Sequence, residues 1–157
     1  MRFIIRDLTN DEETWRRIYQ TLVDCAHSRA THFELRIERQ MYATADEIQE
    51  LLNCGQVQSP DSATGVIVRG QPTEQLCALL KQRLPPAKAI AGDLAPCDRI
   101  TYYRNDRVLY IVYEYGREQV LDLQPAEVID LRDLLQSSGL DPRCLEVAPD
   151  YIQNADL

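Results

Sequence analysis

The segment Arg99–Gln124 constrains the fold more than any other stretch of this sequence. It alternates runs of Val, Ile, Leu and Tyr with two short breaks, Asn105-Asp106 and Gly116-Arg117. β-Branched and aromatic residues favour strands, whereas Asn, Asp and Gly tolerate the positive φ angles of two-residue hairpin turns. The pattern predicts a meander of three antiparallel strands, with a type I′ turn at Asn105-Asp106 and a type II′ turn that begins at Gly116.

Two-residue turns also predict which residues face each other across the three strands. They place Arg104 opposite Arg107 on one face of the first hairpin. The other predicted pairs are Tyr103 with Val108, Tyr102 with Leu109, Ile100 with Ile111, Tyr113 with Val120, and Val112 with Leu121. Both faces of the middle strand are then apolar, so we expect it to be covered on both sides, either by helices or, on one face, by a second subunit.

Four segments outside the meander have apolar residues at helical spacing. The predicted helices begin near Asn10, Thr44, Pro72 and Pro125. Thr9 with Glu12, and Thr44 with Glu47, have the spacing of a capping box, in which each side chain accepts a hydrogen bond from an otherwise unpaired amide. The residues predicted to face inward from the last helix are Val128, Leu131, Leu134 and Leu135.

Further strands are predicted before and after the meander. Their ranges are Phe3–Leu8, Phe33–Glu38, Gly65–Gly70 and, as a short strand in the tail, Cys144–Val147. Strands separated by helices tend to be parallel, whereas strands joined by two residues must be antiparallel. We therefore predict an α+β fold, with a mixed sheet of about six strands that includes the meander (99–123) and with four helices packed on it. The length indicates a single domain, 1–157, with a polar tail from about residue 148.

Charge and cysteine content restrict the class of partner and the compartment. The sequence has 25 acidic and 17 basic residues, a net charge of −8. Nucleic acid and anionic membranes require a basic surface, so we expect neither as a partner. No apolar run approaches the roughly 18 residues of a membrane span. The five cysteines are widely spaced and form no Cys-x-x-Cys pair, which indicates free thiols in a reducing cytoplasm.

No motif in the sequence fixes a catalytic chemistry. Cys25, His27 and His32 fall short of the four ligands of a zinc site, and we interpret them as packing and helix-end residues. The sequence has no serine elbow and no glycine-rich phosphate loop. Glu114 and Glu118 are predicted on opposite faces of the meander, which argues against a carboxylate pair. We predict no catalytic residue, no metal and no cofactor, and the balance is against an enzyme.

The turns of the meander nevertheless contain candidate binding residues. Arg104 and Arg107 face each other, and like charges directly opposite destabilise a sheet. We therefore expect an anion or a carboxylate from another element beside them. Tyr115, next to the second turn, is the tyrosine predicted to be most exposed. With Glu118, these residues form a candidate site for a small ligand or substrate at one end of the meander.

A second candidate surface lies on the last predicted helix. Glu127, Asp130 and Asp133 recur at three-residue spacing on its outer side. They are either solvated charges or a docking surface for a basic protein. The favoured hypothesis is a small acidic cytoplasmic protein-binding module, such as an inhibitor, an immunity-type protein or an adaptor. The alternatives are the small-ligand or enzyme site at the turns, and a homodimer formed through a tyrosine-bearing sheet face.

Overall fold

The computed structural model describes residues 1–38, 45–58, 65–82 and 94–153. Within these ranges it has eight strands, four helices of at least eight residues and one of four residues. The strands are β1 (Arg2–Ile5), β2 (His32–Glu38), β3 (Gln56–Gln58), β4 (Gly65–Gly70), β5 (Arg99–Arg104), β6 (Arg107–Tyr113), β7 (Glu118–Asp122) and β8 (Leu145–Val147). The helices are α1 (Glu12–His27), α2 (Ala45–Leu52), α3 (Glu74–Lys81), α4 (Pro125–Ser137) and α5 (Asp150–Gln153).

The strands form one sheet in the order β3-β4-β2-β5-β6-β7-β1-β8. Every pair of neighbours is antiparallel. The predicted α+β class is therefore confirmed, but the prediction of about six strands in a mixed sheet is wrong. Strands β1 and β2, which α1 connects, are separated by the whole meander, and β2 and β4, on either side of α2, are antiparallel neighbours. Strand β3 was not predicted because its three residues, Gln-Val-Gln, are exposed and mostly polar.

Helix α1 begins two residues later than predicted because a different side chain caps it. The carboxylate of Asp11 accepts a hydrogen bond from the amide of Thr14 at 2.8 Å. The predicted capping box between Thr9 and Glu12 is wrong, since the hydroxyl of Thr9 accepts from the amide of Asp11 instead, at 3.2 Å. The second predicted box, at Thr44, lies outside the described residues.

The first turn of the meander has the predicted geometry. Asn105 and Asp106 have φ angles of 49° and 63°, as a type I′ turn requires. Arg104 pairs with Arg107 across this turn. The predicted opposition of the two arginines is therefore confirmed, and it follows directly from the length of the turn.

A β-bulge shifts the register beyond this turn. Tyr103 pairs with Val108 as predicted, but Tyr102 pairs with Tyr110, so Leu109 is an extra residue on β6. The bulge makes two predicted pairs wrong, namely Tyr102 with Leu109 and Ile100 with Ile111. Tyr102 and Tyr110 consequently lie on the same face of the sheet. The predicted register would place them on opposite faces.

The second turn is longer than predicted. Tyr113 pairs with Glu118, so four residues connect β6 to β7 rather than two. The carbonyl of Tyr115 accepts hydrogen bonds from the amides of Leu94 and Ala95, at 2.7 and 2.8 Å. These distant residues hold the loop in a shape that its own sequence does not indicate. Two predicted pairs are wrong as a result, Tyr113 with Val120 and Val112 with Leu121.

Helices α1 and α3 pack over the sheet face that contains Tyr102 and Tyr110, and both tyrosines are fully buried. The hydroxyl of Tyr19, in α1, donates to the carbonyl of Leu80, in α3, at 2.8 Å. The hydroxyl of Tyr102 lies 3.2 Å from Nδ1 of His27, the last residue of α1. These tyrosines are therefore packing residues of the core, and burial raises the pKa of each hydroxyl.

Strand β6 is buried on both faces, as predicted. Tyr110 and Val112 belong to the main core under the helices, whereas Ile111 points to the opposite face and is also fully buried. This burial is achieved within a single chain. A second subunit is therefore not needed to cover the middle of the sheet.

Candidate functional site

The predicted site at the meander turns is divided between the two ends of the sheet. Arg104 and Arg107 flank the first turn, whereas Tyr115 and Glu118 belong to the second. The seven residues of β6 separate these turns, a distance of roughly 20 Å at the usual rise of an extended strand. The structure does not bring the four residues together.

Tyr115 is not the exposed tyrosine that the sequence predicted. Its ring is half-buried, and its hydroxyl oxygen is shielded from solvent. The residue has a positive φ angle of 56°, and its carbonyl holds the amides of Leu94 and Ala95. Tyr115 thus shapes the second turn, where Glu114, Arg117 and Glu118 are exposed.

Glu127 is part of an ion-pair network rather than of a free acidic face. Its carboxylate accepts hydrogen bonds from Nη1 and Nη2 of Arg104 and from the backbone amide of Gln124. Nε of Arg29 lies 3.6 Å from Oε1. The Arg104 guanidinium is the main reason that the pKa of Glu127 lies below its ordinary value, while partial burial opposes it. Glu127 is therefore the carboxylate that the sequence led us to expect beside the arginines.

The guanidinium of Arg107 makes fewer and longer polar contacts than that of Arg104. Its side chain is 84% exposed, and its Nη2 lies 3.8 Å from Oδ2 of Asp122, beyond hydrogen-bond distance. Asp122 also lies 3.6 Å from Nε of Arg2. Within the described residues, Arg107 donates no hydrogen bond to another side chain or to the backbone. A guanidinium has five N–H donors, so this side chain retains its hydrogen-bonding capacity.

A pocket of about 310 Å³ lies between the first hairpin turn and the start of α4. We call it the hairpin pocket. Its polar wall includes Arg104, Arg107 and Asp122. Its apolar wall includes Val108, Leu123 and Pro125. The pocket thus combines cationic donors, one carboxylate and an apolar surface in a volume suited to a small molecule.

The outer side of α4 differs from the prediction at Leu134 and Ile129. Asp130 and Asp133 are exposed, as predicted. Leu134 was predicted to face inward, but 45% of it is exposed, and the unpredicted Ile129 is 63% exposed. We call Ile129, Asp130, Asp133 and Leu134 the α4 outer patch.

Helical geometry explains why the prediction for Leu134 failed. The buried residues of α4 are Val128, Leu131 and Leu135. At about 100° per residue, Leu134 lies at the edge of this buried stripe, and Ile129 lies on the far side of the helix. The sequence did contain a signal for Ile129, since it is a large apolar residue outside the stripe.

The two histidines and Cys25 pack against neighbouring side chains of the fold. Cys25 is buried in α1, and burial raises the pKa of its thiol. His27 contacts Tyr102, and the ring of His32 stacks on Tyr103 with centroids 4.7 Å apart. All five cysteines are free, and the described residues contain no group of three metal-binding side chains.

One group of polar side chains between α1 and α3 was not predicted. Asp24 accepts hydrogen bonds from Nζ of Lys81 and from Sγ of Cys77, the latter at 3.3 Å. Burial and the bond to Asp24 raise the pKa of Cys77 to about 11. The thiol is therefore protonated at neutral pH and is a poor nucleophile. Asp24, Cys77 and Lys81 therefore connect α1 to α3, and the Cys77 thiol is not activated as a nucleophile.

Comparisons with known proteins do not assign this chain. No protein-family model matches it, and no curated protein and no solved structure is similar to it. None of the helices in the described part of the chain is long and apolar enough to cross a bilayer. The geometry of the hairpin pocket and of the α4 outer patch therefore carries the functional argument.

Proposed function

We propose that this protein is a protein-binding module whose α4 outer patch engages a basic segment of a partner protein. The observation that supports this function is the combination of two exposed aliphatic side chains with two exposed carboxylates on one helix. Around the axis of α4, Ile129 and Leu134 lie at the edges of an arc of about 140°, and Asp130 and Asp133 lie between them.

The arrangement specifies the chemistry of the partner. Burying an aliphatic side chain fully contributes about 1.5–3 kcal/mol, so Ile129 and Leu134 can supply affinity. The carboxylates of Asp130 and Asp133 select cationic groups and accelerate encounter, an effect that the net charge of −8 reinforces. A complementary partner has Lys or Arg at the centre of its contact surface and apolar residues on either side.

The positions of the buried residues support the same surface. Val128, Leu131 and Leu135 point toward the core, and the α4 outer patch lies on the opposite side of the helix. Glu127 is held by Arg104. The proposed docking surface is therefore the α4 outer patch, which does not include Glu127. Asp130 and Asp133 are the two carboxylates of the predicted acidic face that remain available.

The experiment is a titration of isotope-labelled protein with a synthetic amphipathic peptide of leucine and lysine, followed by NMR. We expect amide shifts concentrated on α4, and an affinity that falls as salt concentration rises. The variant Asp130→Lys/Asp133→Lys should weaken binding by at least about tenfold, since two attractive contacts become repulsive.

A matched variant, Glu50→Lys/Glu118→Lys, changes the net charge equally at two exposed positions away from α4. It should bind the peptide nearly as well as the wild type. Equal weakening by both variants would show that only the overall charge matters, and the proposed docking surface would then be abandoned. Peptide-induced shifts outside α4 would lead to the same conclusion.

A further inference from the structure

We infer that the hairpin pocket binds the carboxylate or phosphate group of a small organic anion. The site is distinct from the α4 outer patch, and the inference does not depend on the proposed function. Its central residue is Arg107, and Arg104 provides the second guanidinium.

The first line of support is the unbalanced pairing of the two arginines. Arg104 and Arg107 are directly opposite each other across β5 and β6, an arrangement that is unfavourable for like charges. Arg104 is compensated by two hydrogen bonds to Glu127. Among the described residues, Arg107 has as its acidic neighbour only Asp122, at 3.8 Å. An anion in the pocket would complete the compensation that Arg107 lacks within the described residues.

The second line of support is the local charge around the pocket. Arg104 and Arg29 share the carboxylate of Glu127, and Arg107 and Arg2 share that of Asp122. Within the described residues, four guanidinium groups therefore lie beside two carboxylates. This is a basic region in a protein whose net charge is −8, so a small anion is drawn to it rather than to the remaining surface.

The start of α4 adds a third contribution. Gln124 and Pro125 line the pocket at the N-terminal end of this thirteen-residue helix. Aligned peptide dipoles give such an end a partial positive charge, which favours a bound anion. A guanidinium also matches the two oxygens of a carboxylate or phosphate in a bidentate manner. The N-terminal end of α4 and the two arginines thus both favour an anionic head group, a carboxylate or a phosphate.

The apolar wall restricts the rest of the ligand. Val108, Leu123 and Pro125 line the pocket beside the arginines, and a volume of about 310 Å³ lies at the small end for ligand sites. The carboxylate of Asp122 repels a second anionic group on the ligand. These features favour a molecule with one anionic head and a compact apolar body, rather than a bare inorganic ion or a polyanion.

The test uses four probes in two matched pairs, acetate with phenylacetate and inorganic phosphate with phenyl phosphate. NMR follows the side-chain N–H signals of Arg104 and Arg107 during each titration. We expect the aromatic member of a pair to bind about tenfold more tightly than the bare ion, because a partly buried ring contributes roughly 1.4 kcal/mol. The pair with the higher affinity identifies the head group as carboxylate or phosphate.

Variants separate this site from general attraction of anions to the surface. Arg107→Ala should weaken binding by at least about tenfold and leave the fold intact, because the side chain is 84% exposed. Arg107→Lys should retain part of the affinity, since it keeps the charge but loses the bidentate geometry. The control is Arg132→Ala, which removes an exposed arginine of α4 and should have no effect.

Three results would overturn the inference. The first is the absence of any shift of the Arg104 and Arg107 signals with all four probes. The second is equal weakening by Arg107→Ala and Arg132→Ala, which would indicate non-specific attraction. The third is equal affinity for bare and aromatic anions, which would exclude a small organic ligand held by the apolar wall.

Discussion

Arg104 and Glu127 are joined by two parallel hydrogen bonds, from Nη1 to Oε1 and from Nη2 to Oε2, the second at 3.2 Å. This pair connects the end of β5 to the first turn of α4. Glu127 also accepts from the backbone amide of Gln124 at 2.9 Å, so the same carboxylate stabilises the start of the helix. Glu127 thus links the first turn of α4 to the end of β5 beside the hairpin pocket.

Replacing this carboxylate should destabilise the protein measurably. Glu127→Gln removes the charge that Arg104 and Arg29 share, and we expect a loss of about 1–2 kcal/mol in the free energy of unfolding. Urea denaturation measures the loss. The control is Glu146→Gln, whose ion pair with Arg6 is more than half exposed on both sides and should contribute less than about 0.5 kcal/mol. Equal losses in the two variants would contradict a special role for Glu127.

The same pair should produce a pH dependence of stability. The pKa of Glu127 is lower in the folded protein than its ordinary value of 4.5, so folding favours the ionised carboxylate. Its contribution is complete above the unfolded-state pKa and is lost as pH falls through the folded-state pKa. The stability difference between the wild type and Glu127→Gln should therefore be constant near neutral pH and shrink below about pH 4.5. A difference that grows on acidification would contradict the assignment.

The cysteines should differ sharply in reactivity in the folded protein. Cys54 is the only one that is not buried, whereas burial helps raise the pKa of Cys77 and of Cys144 to about 11. A thiol reagent at mildly alkaline pH should therefore modify Cys54 first, and Cys54→Ser should remove the fast phase. After denaturation without reductant, the count should be five. A lower count that recovers only after reduction would contradict free thiols.

The orientation of α4 makes a prediction for single substitutions. Leu131→Ala and Leu135→Ala remove fully buried side chains and should each cost about 2–5 kcal/mol. Ile129→Gln should change stability by less than about 0.5 kcal/mol, because the residue is 63% exposed. Leu134→Gln should have an intermediate effect. A large loss for Ile129→Gln in thermal or urea unfolding would mean that the outer side of the helix is misassigned.

The sequence correctly predicted the elements whose geometry depends on residues that are close together in the chain. Asn105 and Asp106 adopt positive φ angles at little cost, so the first turn and the opposition of Arg104 to Arg107 could be predicted. The prediction of which α4 residues face inward was also largely correct, because helical spacing places Val128, Leu131 and Leu135 on one side of the helix. The candidate site could be predicted in part, since its two arginines flank this local turn.

Contacts between residues distant in the sequence decided the rest. The order of the eight strands depends on which apolar faces pack together, and no local pattern encodes it. The loop at Tyr115 is held by hydrogen bonds from the amides of Leu94 and Ala95, which are distant in the sequence. The sequence predicts Glu127 on an outer acidic face, as a solvated charge or as part of a docking surface, whereas the fold places Arg104 beside it. The tertiary structure formed the hairpin pocket, because its walls come from Met1, from the first hairpin turn and from the residues between β7 and α4, which meet only when the chain is folded.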